Sequence, residues 1–262
     1  MSENYTHLRV ERSGHVATVT LSRPDVHNAF NPVLIGELHR CFEALAFDES
    51  VRIVVLTGDG LSFCAGADLN WMRESLRYTR EENLDDAERM AAMFESINSL
   101  PKPLIGRING AAMGGGVGLV ACCDIAVAVN NARFGFSEVK LGLIPAVIAQ
   151  YVVPKIGPSH ARALFISGER FGADVAHSIG LIHRVVSPEA LDQEISRVIA
   201  ELTTSGPGAM AAAKNLVRAI MHYSPAEARL YTIEAIATLR TSPEGQEGLG
   251  AFLEKRKPSW SA

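Results

Sequence analysis

Two glycine-bearing loops carry the chemistry that this sequence offers. The longer is Asn109-Gly-Ala-Ala-Met-Gly-Gly-Gly-Val-Gly-Leu-Val-Ala-Cys-Cys-Asp124, with five glycines between Gly110 and Gly118. The run Gly114 to Gly116 does not serve to fill volume. Glycine permits φ > 0 and lets a backbone come close to another group. An apolar run, Pro103 to Ile108, leads in, and a small-residue helical pattern leads out. At such a helix start, unpaired N–H groups point outward with the positive end of the helix dipole behind them. That arrangement suits an oxygen that is negative or becoming so. The second loop is Phe63-Cys-Ala-Gly-Ala-Asp68. Alone, its Asp68 is accounted for as the cap of the following helix. Taken together, the two loops can each bring one N–H to a single carbonyl oxygen. Each such donor stabilises a transition state by on the order of 3 kcal/mol.

Other residues offer less. Gly116-Val-Gly118-Leu-Val-Ala121 fits the dinucleotide pattern G-x-G-x-x-A, and Glu138 follows Gly118 by twenty residues. The acidic residue of that pattern should end the second strand, however, and the apolar run stops at Val129. The four cysteines, Cys41, Cys64, Cys122 and Cys123, show no C-x-x-C spacing and read as reduced, packed thiols, Cys64 included. The histidines form no ligand set, so no metal is expected. His27 reads as a turn residue with a local hydrogen bond, and Asp124 as an anchor for backbone N–H groups.

The elements that must position the loops follow from periodicity. Leu8–Glu11 and Val16–Leu21 alternate around Ser13-Gly14-His15 and predict a hairpin. Pro32 to Ala46 predicts a helix that buries Leu34, Ile35, Leu38, Phe42 and Leu45. Val51–Thr57, Leu104–Ile108 and Ile125–Val129 are apolar strands, each followed by a loop or helix, which predicts parallel β–α units. Leu69 to Leu100 reads as a strongly charged helical segment. Ala146–Val153 and Ser159–Ser167 read as helices, the second capped by Ser159. Beyond residue 190 the pattern is almost wholly helical. With 262 residues and 47% hydrophobic content, the chain can bury a large core. Its formal charge of −4 argues against nucleic acid as the main partner. No window reaches the length of a membrane span, and the N-terminus has no signal-peptide pattern, so a cytoplasmic protein is expected.

Several motifs in combination make the chain recognisable. Phe63-Cys-Ala-Gly-Ala-Asp68, Ile108-Asn-Gly-Ala-Ala-Met-Gly-Gly-Gly116, Cys123-Asp124, Phe134-Gly-Phe-Ser-Glu138, Leu141-Gly-Leu-Ile-Pro145 and Phe252-Leu-Glu-Lys-Arg-Lys257 resemble the enoyl-CoA hydratase/isomerase (crotonase) family. The resemblance runs from the hairpin to Lys257. It implies an α/β spiral of ββα units over residues 1–190 and a helical trimerisation region over 191–262. A homotrimer or dimer of trimers would follow. The implied substrate is an acyl-CoA thioester, with coenzyme A part of the substrate and no separate cofactor. On the matching positions Ala67 and Gly115 would hold the thioester oxygen and Glu138 would be catalytic. Asn28, Ala29, Ala65, Gly66, Asp68, Leu69 and Gly114 would line the CoA path. Lys255 and Lys257 would meet CoA phosphates or, alternatively, form a solvated basic tail.

The residues themselves fit that chemistry. Removing a proton α to a thioester charges its oxygen, and two N–H donors at a helix start answer that charge. Glu138 lies between Phe134, Phe136 and Val139, which predicts half-burial and a raised pKa. The structural alternative is an ion pair with Lys140 or Arg133. One departure from the family pattern stands out: common hydratases carry a second glutamate where this chain has Gly118. A lone Glu138 could hold a water and return its proton to Cα, could be helped by a substrate carboxylate or another side chain, or could shuttle a proton between Cα and Cγ as an isomerase does. A non-catalytic CoA-binding protein is the reading from another class. The segment Leu143-Ile-Pro145-Ala-Val-Ile148-Ala149, with Asn70-Trp71-Met72, resembles the methylglutaconyl-CoA and branched-chain hydratase subset. Trp71 and Met72 are candidates for the wall of an acyl pocket. Gly118 itself is expected to leave space for a branched or bulky acyl chain.

Overall fold

The computed structural model describes residues 5–261. β1 (Leu8–Ser13) and β2 (Val16–Leu21) form the expected antiparallel hairpin. α1 (Pro32–Phe47) starts at Asn31, whose side chain accepts from the Leu34 N–H, with proline in the first turn. It buries Leu34, Ile35, Leu38, Phe42 and Leu45, the face predicted from their spacing. β3 (Ile53–Gly58) is buried throughout, as a central parallel strand must be.

A repeated turn follows. β3 leads to β4 (Ser62–Cys64), then to α2 (Leu69–Ser75) and α3 (Arg80–Asn98). β5 (Leu104–Ile108) leads to β6 (Ala111–Met113) and α4 (Gly115–Cys122). β7 (Ile125–Val129) leads to β8 (Arg133–Gly135), a 3-10 turn at Ser137–Leu141, and α5 (Ala146–Ser167). β9 (Arg170–Gly172), α6 (Ala173–Ser178) and β10 (Arg184–Val186) complete the sheets. One sheet runs β1-β2-β3-β5-β7-β10 and the other β4-β6-β8-β9. The first strands of successive turns are parallel neighbours in one sheet, and the second strands are parallel neighbours in the other. Each turn therefore stacks on the last, which is the ββα spiral.

Three expectations change. The loops after β3 and β5 each contain a three-residue strand, too short to show alternation. The charged segment is two helices, and α3 opens with a capping box between Thr79 and Glu82. α5 is interrupted at Gly157 (φ 74°, ψ 157°), and its second part begins at Pro158, so Ser159 is not its cap.

The chain divides into two compact units, one formed by residues up to Leu100 with Leu104–Ile195, the other by Pro101–Pro103 with the residues from Ser196. The division runs through α7 (Leu191–Thr203). The second unit holds α8 (Pro207–Ile220), α9 (Pro225–Thr241) and α10 (Pro243–Leu253). Glu244 accepts from the Gly208 and Ala209 N–H groups, a carboxylate set at the N-terminus of α8. Among the described residues no helix is long and apolar enough to cross a membrane.

Candidate active site

Each turn of the spiral has a corner where its second strand ends. The three corners are Cys64 to Asp68, Met113 to Gly115, and Gly135 to Glu138. Because β4, β6 and β8 are neighbours in one sheet, the corners are neighbours too. The Gly114 N–H bonds to the Gly135 carbonyl at 2.9 Å. Gly66 (φ 89°) lies against the Met113 carbonyl, where a Cβ would stand 2.9 Å from the oxygen. A Cβ on Gly116 would overlap the Cys64 carbonyl. Glycine at these two positions lets the first two corners touch backbone to backbone.

Ala67 is aimed by Phe30. The Phe30 N–H donates to the Gly66 carbonyl at 2.6 Å, and the Asp68 N–H donates to the Phe30 carbonyl at 2.8 Å. In a parallel bridge of this kind the middle residue's own N–H points away from its partner. Ala67 is exposed, and its N–H lies on the side away from Phe30. Gly115 is the first residue of α4, and its N–H has no acceptor within the helix. The Phe30 ring covers its other side, 2.8 Å from where a Cβ would be. One phenylalanine thus holds both donors in place.

A buried ion pair fixes the Ala67 corner from below. Asp68 caps α2 through the Asn70 N–H at 2.7 Å and receives the Arg23 guanidinium at 2.8 Å. Arg23 also donates to the Ala29 carbonyl. Burial pushes the Asp68 carboxyl up, but the Asn70 N–H and Arg23 outweigh it and hold the group below the usual carboxylate range. Asn28 is fully buried at φ 58°. Its side chain accepts from the Arg23 N–H and donates to the Asp59 and Ser62 carbonyls, and so braces this turn. Ala29 and Gly66 are buried, Ala65 is half-buried and Leu69 is exposed.

Glu138 opens the 3-10 turn of the third corner. Its Oε1 lies 2.9 Å from where a Cβ on Gly114 would be. Among the described residues it makes no ion pair with Lys140 or Arg133, and its buried Oε2 meets no hydrogen-bond donor. Half-burial raises its pKa above the ordinary value, and its own backbone N–H pulls weakly the other way.

Gly118 does not behave as its missing side chain suggests. A Cβ there would overlap Ile148 Cγ2 and stand 2.9 Å from Phe94 Cε1. The space expected beside Gly118 is filled by α3 and α5. Phe94 and Ile148 are therefore residues of the site region that local spacing did not reveal. Ile148 stood inside a motif, but its partner comes from another helix. Arg23 and Phe30 were likewise unmarked, since only tertiary contacts give them their tasks.

The remaining candidates fall out simply. Cys64 is buried and its thiol is pushed up to about 12 by burial, so it packs as expected. His27 Nδ1 meets Ser62 Oγ at 3.0 Å, a partner 35 residues away in place of the local bond expected, and Asp124 accepts from the Leu104 N–H at 2.8 Å. Trp71 is buried, and its indole N–H meets no acceptor among the described residues. Lys255 and Lys257 are exposed and belong to the second unit.

The ion pair gives a testable stability signature. Asp68 has a depressed folded pKa, so its contribution is present above about pH 4, the unfolded value, and is lost as pH falls through the folded one. Asp68→Asn should keep the helix cap but lose about 3 kcal/mol at pH 7, because Arg23 stays buried without its charge partner. Denaturant melts of the variant should also fall less steeply below pH 4. Equal stability of the two proteins at pH 7 would remove the pair as a brace.

Known proteins share this architecture. The family model for enoyl-CoA hydratase/isomerase matches residues 11–262. An enoyl-CoA hydratase structure from Shewanella pealeana superposes with a TM-score of 0.94 at 41% identity, covering 97% of this chain and 96% of that one. A structure titled putative enoyl CoA hydratase/isomerase (crotonase), from Legionella pneumophila, gives 0.91 at 42% identity, covering 97% and 98%. The 2,3-dehydroadipyl-CoA hydratase of Escherichia coli is 35% identical over 97% of this chain and 98% of its own length. With the stacked corners of a ββα spiral and a family match over nearly its whole length, the chain belongs to the enoyl-CoA hydratase/isomerase family.

Proposed function

We propose that the protein is an enoyl-CoA hydratase that adds water reversibly across the 2,3 double bond of a 2-enoyl-CoA. The observation that carries this reading is the set of three adjacent corners, with outward N–H groups at Ala67 and Gly115 and a partly desolvated carboxylate at Glu138. The thioester carbonyl oxygen accepts from both N–H groups, with the N-terminus of α4 behind it. Ionised Glu138 takes a proton from water as the water oxygen bonds to C3. The π electrons move onto the thioester oxygen. Glu138 then gives the proton to C2 as the carbonyl re-forms, so one carboxylate starts and ends the cycle unchanged.

Ala29, Ala65, Gly66, Leu69 and Gly114 form the rim along which coenzyme A passes in this reading, and the exposed Lys255 and Lys257 are its candidates for the phosphates. Asn28 and Asp68 serve that rim by bracing it. The exposed apolar residues Val217, Leu230, Ile233, Ile236, Phe252 and Leu253 of the second unit fit a homotrimer or dimer of trimers. A branched, methylglutaconyl-like acyl group is supported by Asn70-Trp71-Met72 and the 143–149 segment, and not by room at Gly118. The E. coli relative named for a dehydroadipyl-CoA substrate is compatible with an acyl group that ends in a carboxylate.

Gly118 favours a second reading, Δ3,Δ2-enoyl-CoA isomerisation, which needs one base only. Incubation with crotonyl-CoA and with a 3-enoyl-CoA in ¹⁸O water separates the two. Hydration predicts loss of 2-enoyl absorbance with label in the product. Conversion of the 3-enoyl ester without label, and no reaction of crotonyl-CoA, would transfer the assignment to isomerase.

Glu138→Gln should lower kcat by about 10²- to 10⁴-fold with a smaller change in KM. In the parent enzyme the acid limb of kcat/KM should lie above the ordinary glutamate value of about 4.3, because burial raises the group that must be ionised. An unshifted acid limb, or full turnover by the Gln variant, would exclude Glu138 as the base.

A further inference from the structure

The donor at Ala67 carries only a methyl group, so its direction is set by the chain on either side of it. That chain is bridged to Phe30, through the Phe30 N–H on the Gly66 carbonyl and the Asp68 N–H on the Phe30 carbonyl. One guanidinium reaches both chains of the bridge. Arg23 donates through Nη1 to the Ala29 carbonyl, one residue before Phe30. It donates through Nη2 to Asp68 Oδ2, one residue after Ala67. The Arg23 side chain is 14% exposed and that of Asp68 7%. The root of the side chain is fixed as well. The Arg23 N–H donates to Asn28 Oδ1 at 2.9 Å, and its carbonyl accepts from the Val26 and Asn28 N–H groups at 3.1 and 2.9 Å. An ion pair with Asp68 would need only one of the two Nη contacts. The Ala29 contact is the one that ties in the partner chain.

We infer that Arg23 is a positioning residue: by joining the two chains of the Phe30–Ala67 bridge, it sets the direction in which the Ala67 N–H meets the thioester oxygen. This rests on the acyl-CoA reading above but not on the choice between hydration and isomerisation, because both place charge on that oxygen. The task calls for a fork. A guanidinium holds donors on separate nitrogens in one plane, whereas an ammonium is a single point. Lysine at this position keeps the charge beside Asp68 but places one nitrogen where Arg23 places two.

The carbonyl stretch of a bound thioester reads the donors without turnover. Butanoyl-CoA labelled with ¹³C at the carbonyl is bound to the parent protein, Arg23→Lys and Arg23→Met, and its infrared stretch is compared with that of the free ester. The parent should lower the stretch. Arg23→Lys should give back part of that shift, since Gly115 still donates, and Arg23→Met at least as much. On crotonyl-CoA or, for an isomerase, on the 3-enoyl ester, the kcat of Arg23→Lys should fall by about tenfold to a hundredfold with a smaller change in KM. The lysine variant keeps Asp68 paired, so a folding failure of the methionine variant leaves a usable measurement. Leu38→Ala, a core change in α1, lowers stability and should keep the parent stretch. A parent-like stretch and kcat in Arg23→Lys would overturn the positioning role, whatever the stability of that protein. An equal loss of shift in Leu38→Ala would do the same, because general loosening would then account for it. A parent that does not bind the ester, or binds it without lowering its stretch, would overturn the reading of Ala67 and Gly115 as thioester donors, and the role of Arg23 with it.

Discussion

The candidate site depends on backbone touching backbone between consecutive turns of the spiral. Parallel strand pairing alone sets β4, β6 and β8 side by side, but the corners beyond them come within reach only where no Cβ intervenes. Gly66 against Met113 and Gly116 against Cys64 are those points. A Cβ at either point would stand 2.9 Å or 2.3 Å from a carbonyl oxygen of the neighbouring corner, so a side chain there would force the corners apart. Once the contact is made, the rest follows from ordinary packing. Phe30 can span both corners because they are adjacent, and Arg23 with Asp68 can lock the first because the corner returns to the hairpin.

This arrangement has an electrostatic cost, and the cost shows what the site is built for. Backbone N–H groups at Ala67 and Gly115 face outward instead of closing a ladder. Glu138 is half-buried, with one oxygen that no donor meets. Folded proteins pair nearly all such groups. Donors and a carboxylate left unmatched at one place, in sequence segments otherwise dense with apolar contacts, are the feature on which the proposed hydratase reading rests. The same desolvation that raises the Glu138 pKa makes it a better proton acceptor once ionised, so burial and reactivity have one cause.

Much of this was legible in the residues. The glycine run, the Ala-Gly-Ala-Asp loop and the aromatic flanks of Glu138 marked all three corners, and the apolar runs of β3, β5 and β7 marked the parallel sheet. What stayed hidden has a physical reason in each case. Three-residue strands such as Ser62–Cys64 carry too few positions for a period of two to appear. Arg23 reads as the end of a strand until Asp68, forty-five residues away, is seen beside it. Asn28 reads as a loop residue near a cofactor, yet its three hydrogen bonds run to backbone groups of its own and of a distant turn. Local pattern names the groups that do chemistry more readily than the groups that hold them.

Gly118 shows why a glycine cannot be interpreted from the sequence alone. A missing side chain means either that space is wanted or that a neighbour has already taken it. Ile148 and Phe94 decide for the second. A side chain at position 118, a second acid included, is refused by that contact. In the hydratase proposed above, one carboxylate then serves in turn as base and acid, which requires that the proton it takes from water be the one it returns to C2.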